Sequence, residues 1–111
     1  MVVGLGVFCG CGDGLILKIK YFEWDRSKNK SNIKKHGVSF QEAESIFYDE
    51  YALTADDDDH SHDEDRFIIV GESKRPRLLL ACYCYRGEDI IRIISARKAT
   101  KTEIDCYKEN R

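Results

Sequence analysis

The residues best suited to chemistry in this 111-residue chain lie between Asp89 and Tyr107, in the run DIIRIISARKATKTEIDCY. Arg92, Arg97, Lys98 and Lys101 arrive there with no acidic residue among them. A planar guanidinium grips two oxygens of one anion at once, and the N-terminus of a helix favours the same ligands. The chemistry such a grouping supports is holding an anion and steadying negative charge as it develops. Arg97 is the first candidate for that work, with an ion pair to the acidic loop or to Glu103 as its alternative. Arg66, which leaves the acidic stretch 56–65, is a further candidate cation or a partner of Asp63 or Asp65. His36 is the one histidine outside that stretch, and imidazole is the usual proton carrier near neutral pH. Lying just before Gly37, it is equally suited to the C-terminal end of a helix.

These residues need elements to position them. Ile90, Ile91, Ile93 and Ile94 form a β-branched run typical of a strand buried on both faces. In a regular strand Arg92 shares a face with Ile90 and Ile94, whereas Arg97 shares the other with Ile91 and Ile93. The two arginines converge only if the strand bends near Ser95 and Ala96. Thr100 and Glu103 have capping-box spacing, so a helix follows, with Ile104 and Tyr107 as its apolar pair. Tyr107 could donate to a phosphate or pack on the sheet.

Upstream, residues 15–24 alternate as a first strand, and Phe22 and Trp24 within it suit either base stacking or the core. Asp25 is placed to cap a polar helix over 26–35, in which Ile33 is the only aliphatic anchor. Gly37 suits its left-handed end. Ser39 and Glu42 predict a second capping box, followed by an apolar stripe of Phe40, Ala43, Ile46 and Phe47. Strands follow over 66–71 and Leu78–Tyr85, with Pro76 as the break between them and Arg86 to Glu88 as a short connection to the last strand. A further weak strand around 52–55 is compatible with the pattern. The expectation is a small α+β domain of order β-α-α-β-β-β-α, with an antiparallel sheet, two N-terminal helices and one C-terminal helix.

The formal net charge of −2 argues against a partner that is a polyanion, but it is an average over two unlike parts. Seven of the 20 acids fall within residues 56–65, leaving 13 acids against 18 basic residues elsewhere. The body is therefore mildly basic and carries an acidic loop. Carboxylates and imidazoles of DDDDHSHDED could bind a divalent ion, but a repeated-aspartate loop supplies no fixed geometry, and no metal or cofactor is expected. The five cysteines include no CxxC pair, and Cys82 and Cys84 share one strand face, so reduced thiols in a cytoplasmic protein are expected. No apolar run suffices to span a membrane. Residues 1–14 hold five of the eight glycines and read as an extension outside a domain covering 15–111.

FEWD at Phe22 to Asp25, KHGVSF at Lys35 to Phe40, the EAxxIF pattern at Glu42 to Phe47 and RIISARKATxxEIDxY at Arg92 to Tyr107 resemble the BrnT family. That resemblance implies a RelE/ParE-like fold and a ribonuclease toxin of a type II toxin–antitoxin system. It also implies neutralisation by a BrnA-like antitoxin in a hetero-oligomeric complex. Metal-free cleavage of RNA needs a group to take the 2′-OH proton, cations for the charge on the phosphorane, and an acid for the leaving oxygen. On this reading Arg97, Arg92, Arg66 and His36 are the candidate catalytic set. Lys34, Lys35, Lys98, Lys101 and Tyr107 are candidate RNA contacts. A non-enzymatic inhibitor on the same scaffold and an inactive regulatory module are the competing readings.

Overall fold

In the computed structural model, which describes residues 21–57 and 65–111, the apolar strands assemble into one five-stranded sheet. The strands are β1 (Tyr21–Glu23), β2 (Leu53–Asp56), β3 (Phe67–Glu72), β4 (Leu78–Tyr85) and β5 (Ile90–Lys98), ordered β1-β5-β4-β3-β2. Helices α1 (Arg26–His36) and α2 (Phe40–Ser45) precede β2; α2 runs on into a 3₁₀ turn at Ile46–Tyr48, and α3 (Lys101–Glu109) closes the chain. Short connections force β3, β4 and β5 into antiparallel pairing. β1 departs from the expected antiparallel sheet by lying parallel to β5, because no tight link dictates its sense. The weak strand around 52–55 forms as β2, antiparallel to β3. Expectations about residues 1–14, the start of the first strand and the centre of the acidic loop fall outside the described residues.

One face of the sheet carries Ile69, Leu79, Tyr83, Ile91, Ile93 and Ala96, packed beneath Val38, Phe40, Ala43, Ile46 and Phe47. Phe22 and Trp24 join this core at its margin, edge-on to Phe47 and Phe40 at 5.2 and 6.2 Å. Gly71 lets the 3₁₀ turn settle on β3, since a Cβ there would stand 3.1 Å from the Ile46 carbonyl oxygen. On the second face α3 lays Tyr107 against Val70 and Leu80.

β5 is not a regular strand. Cys82 pairs with Ser95 but Tyr83 pairs with Ile93, so Ile94 is an extra residue in the ladder. Consecutive Ile94 and Ser95 are thereby both turned from the core, while Ile93 and Ala96 on either side are buried in it. Strict alternation would send Arg97 inward with Ile91 and Ile93, or expel both isoleucines. Each buried isoleucine contributes about 2 kcal/mol, against about 1 kcal/mol for a lost ladder hydrogen bond. The bulge is the cheaper solution.

Helix α1 departs from expectation in its anchor. Ile33 is 45% exposed, and the buried residues are Asn29 and Asn32. β1 pairs with β5 only as far as Arg92, which leaves the next stretch of β5 without a strand on that side. Asn32 fills the gap: its Nδ2 donates to the Ala96 and Val38 carbonyls, both at 2.8 Å, and its Oδ1 accepts from the Ala96 N–H at 3.2 Å. Asn29 accepts the Phe40 N–H at 2.8 Å, tying α1 to α2. Asp25 caps α1 through the Lys28 N–H, and Gly37 ends it at φ 71°.

Candidate functional site: an arginine-bearing sheet face

The bulge decides where the arginines go. Counting across it, Arg92 lies opposite Cys84 and Arg97 opposite Leu80, two positions on the same face of β4. Arg66 precedes the core-packed Phe67, so it also belongs to this second face, and its charge acts on the Cys82 thiol there. The three arginines singled out from the sequence thus share one face. α3 covers its far part through Val70 and Leu80, while Ser95 stays exposed.

Arg97 is held by the first turn of α3. Its Nη1 and Nη2 donate to Oε1 and Oε2 of Glu103, each at 2.9 Å, and Nη1 also reaches the Lys98 carbonyl at 3.1 Å. The ion pair weighed as the alternative role for Arg97 is therefore present, but it is open to solvent: the Arg97 side chain is 38% exposed. Glu103 completes the expected capping box, accepting the Thr100 N–H at 2.8 Å while its own N–H donates to Thr100 Oγ1 at 3.3 Å. The guanidinium first, and then the Thr100 N–H, hold the Glu103 carboxyl below the usual range, so it is anionic at neutral pH. Glu103 takes the end of the guanidinium. The Nε–H and the second Nη2 hydrogen, which lie along one side, have no acceptor among the described residues.

Arg92 is braced in the same way from the neighbouring strand, with Nη1 2.9 Å from Glu23 Oε2. Arg86 reaches the same oxygen at 3.8 Å. Across β3, the Cys82 thiol of β4 donates to Oδ2 of Asp57, which directly follows β2, at 3.3 Å. Burial, and then that carboxylate, push the thiol up to about 12, so it stays protonated at neutral pH. The described cysteines Cys82, Cys84 and Cys106 form no disulfide.

The other candidates are not gathered with the arginines. Lys98 follows Arg97 directly and pairs with Leu79 on the core face. Lys101 forms an exposed 3.2 Å pair with Asp105. Tyr107 is buried at 2% exposure and donates to Asp49 Oδ2 at 2.5 Å; it packs on the sheet. Lys34, Lys35 and His36 end α1, and Lys34, two residues after Asn32, points away from β5. His36 is exposed and bonds to none of the three arginines.

Two features were not fixed by sequence reasoning, which raised the second only as a bend near Ser95 and Ala96. Ser39 caps α2 through the Glu42 N–H at 3.0 Å, but the expected reciprocal half of the box is missing. The Glu42 carboxylate turns inward to Arg77, accepting from Nε at 2.7 Å and Nη2 at 2.6 Å, and from Ser73 Oγ at 2.7 Å. Arg77 also donates to the Gly37 carbonyl at 2.9 Å, so the β3–β4 loop is locked to α1 and α2. The second feature is the bulge; apolar residues at 91, 93 and 96 are its signal, a period of two that slips by one.

Among solved structures, the crystal structure of the Brucella abortus ribonuclease toxin BrnT is similar in fold, with a TM-score of 0.56 and 24% identity over 73% of this chain and 97% of that one. A comparison with curated proteins finds no match. The model of the ribonuclease toxin BrnT of type II toxin–antitoxin systems matches residues 24–103, which run from just after β1 to the first turn of α3 and take in Arg66, Arg92, Arg97 and Glu103. On that match this chain belongs to the BrnT family of type II ribonuclease toxins.

Proposed function

We propose that the chain is an endoribonuclease toxin that binds RNA on the arginine-bearing sheet face. It cleaves by in-line attack of a ribose 2′-OH on the adjacent phosphorus, leaving a cyclic phosphate and a free 5′-OH, without a metal ion. The single observation that carries this reading is the bulge at Ile94, which turns Arg92 and Arg97 to the same side as Arg66. Guanidinium groups supply to a phosphorane the positive charge that a metal ion supplies elsewhere. The fixed Glu103 carboxylate presents the free side of Arg97 outward and limits the rotamer freedom lost when phosphate arrives. The Glu103 carboxylate raises the Arg97 guanidinium further above its ordinary value and is itself held low, so this pair keeps its charges near neutral pH and its part is charge and orientation.

A BrnA-like antitoxin in a cytoplasmic hetero-oligomer would neutralise the toxin by covering this face. Lys35, Lys98 and Lys101 would draw the RNA backbone electrostatically from outside the face. The test is incubation of the antitoxin-free protein with RNA in excess EDTA. Degradation to products ending in a 2′,3′-cyclic phosphate is expected. Cleavage that appears only on adding a divalent ion would refute the mechanism, and growth arrest without any RNA cleavage would favour the non-enzymatic inhibitor.

A further inference from the structure

Ser95 is out of character for its position. It lies in the second strand from the sheet edge, opposite Cys82, whose side chain is buried, yet it is exposed. The bulge lifts it: Ile94 and Ser95 turn to the same face, and Ala96 resumes the core. The result is a hydroxyl standing between Arg92 and Arg97, with no hydrogen-bond partner among the described residues. The two arginine Cα atoms lie roughly 13 Å apart along the strand, within reach of two long side chains converging on a group between them. A small hydroxyl there blocks neither guanidinium and both donates and accepts hydrogen bonds. A larger side chain would crowd the space between the two arginines; an alanine would remove the hydroxyl.

We propose that Ser95 is an RNA contact of the reaction, its hydroxyl donating to a non-bridging oxygen of the phosphate held by the Arg92–Arg97 pair. The inference rests on the reading that RNA occupies this face. No bond to Ser95 forms or breaks; the hydroxyl serves as a third donor to an anion whose charge grows in the transition state.

The experiment compares Ser95→Ala, Ser95→Thr and Arg97→Ala with the parent protein in RNA cleavage, measuring kcat and KM, and follows each thermal midpoint. An exposed serine costs little stability when truncated, so the Ser95→Ala midpoint should stay within about 3 °C of the parent. The expected result is a loss of about 10-fold or more in kcat/KM for Ser95→Ala, the scale of one hydrogen bond to a charged group. Ser95→Thr, which keeps the hydroxyl, should recover most of it. Parent-like cleavage by Ser95→Ala together with loss of activity in Arg97→Ala would overturn the role of Ser95 and leave the arginine face standing. Parent-like cleavage by both would overturn the two together. A loss in Ser95→Ala that threonine does not restore would assign the position to shape, against the hydroxyl.

Discussion

At the scale of single residues, the informative pair is Arg97 and Glu103. One carboxylate serves two purposes, completing a helix cap and fixing a guanidinium, with Oε1 shared between the Thr100 N–H and Arg97 Nη1. Because the pair is half open to water, its worth to stability is small, about 0.5–1 kcal/mol; its larger consequence is orientation. Glu103→Gln keeps a side chain able to cap but gives up the charge and one acceptor. Cleavage assays should show a fall mainly in kcat, with the thermal midpoint lowered by no more than about 5 °C. A drop in stability with unchanged kcat would make Glu103 a cap and nothing more. The cap was legible in the sequence, because Thr and Glu three apart before an apolar pair mean the same thing in most contexts. The identical spacing at Ser39 and Glu42 misled: Arg77, 35 positions away, offers Glu42 a stronger charged partner than the Ser39 N–H does.

At the scale of elements, β5 and α1 were both recognisable and both differ in the detail that matters. The isoleucine run marked the strand, but a period-two reading put Arg92 and Arg97 on opposite faces. The extra residue at Ile94 reverses that, and its cause is burial of Ile91, Ile93 and Ala96 on one side. The polar helix was legible from its cap, its charges and Gly37; its anchor was not. Two asparagines in a charged segment look solvated until an unpaired strand edge needs both a donor and an acceptor, which one amide provides. Asn32→Ala leaves the Ala96 N–H and two carbonyls without that partner. We expect a loss of about 2–3 kcal/mol in denaturant unfolding. Ile33→Ala, at an exposed site, should stay within about 0.5–1 kcal/mol. The reverse ranking would restore Ile33 as the anchor.

At the scale of the whole molecule, two charge systems are segregated. The arginine face is open, whereas the Glu42–Arg77–Ser73 lock is buried, with Glu42 2% exposed. Hydrogen bonding from Arg77, and then Ser73, hold the Glu42 carboxyl below its ordinary 4.5 against the opposing effect of burial. A carboxyl lowered on folding adds stability that is complete above its unfolded value and is lost as the pH falls through the lower folded one. The acid limb of a stability–pH curve should therefore begin below about pH 4.5. Glu42→Gln should flatten that limb and cost about 2–4 kcal/mol at neutral pH, since Arg77 would lose its charge partner. An unaltered limb would assign acid sensitivity to other carboxyls. Among the described residues no helix is long and apolar enough to cross a membrane.

The account turns on one claim, that RNA is cleaved where the bulged strand presents its guanidiniums. Single-turnover cleavage of RNA by Arg97→Ala, in excess EDTA and free of antitoxin, tests it most directly. The expected rate is at least ~100-fold below the parent protein; a rate within about twofold of the parent would contradict the claim.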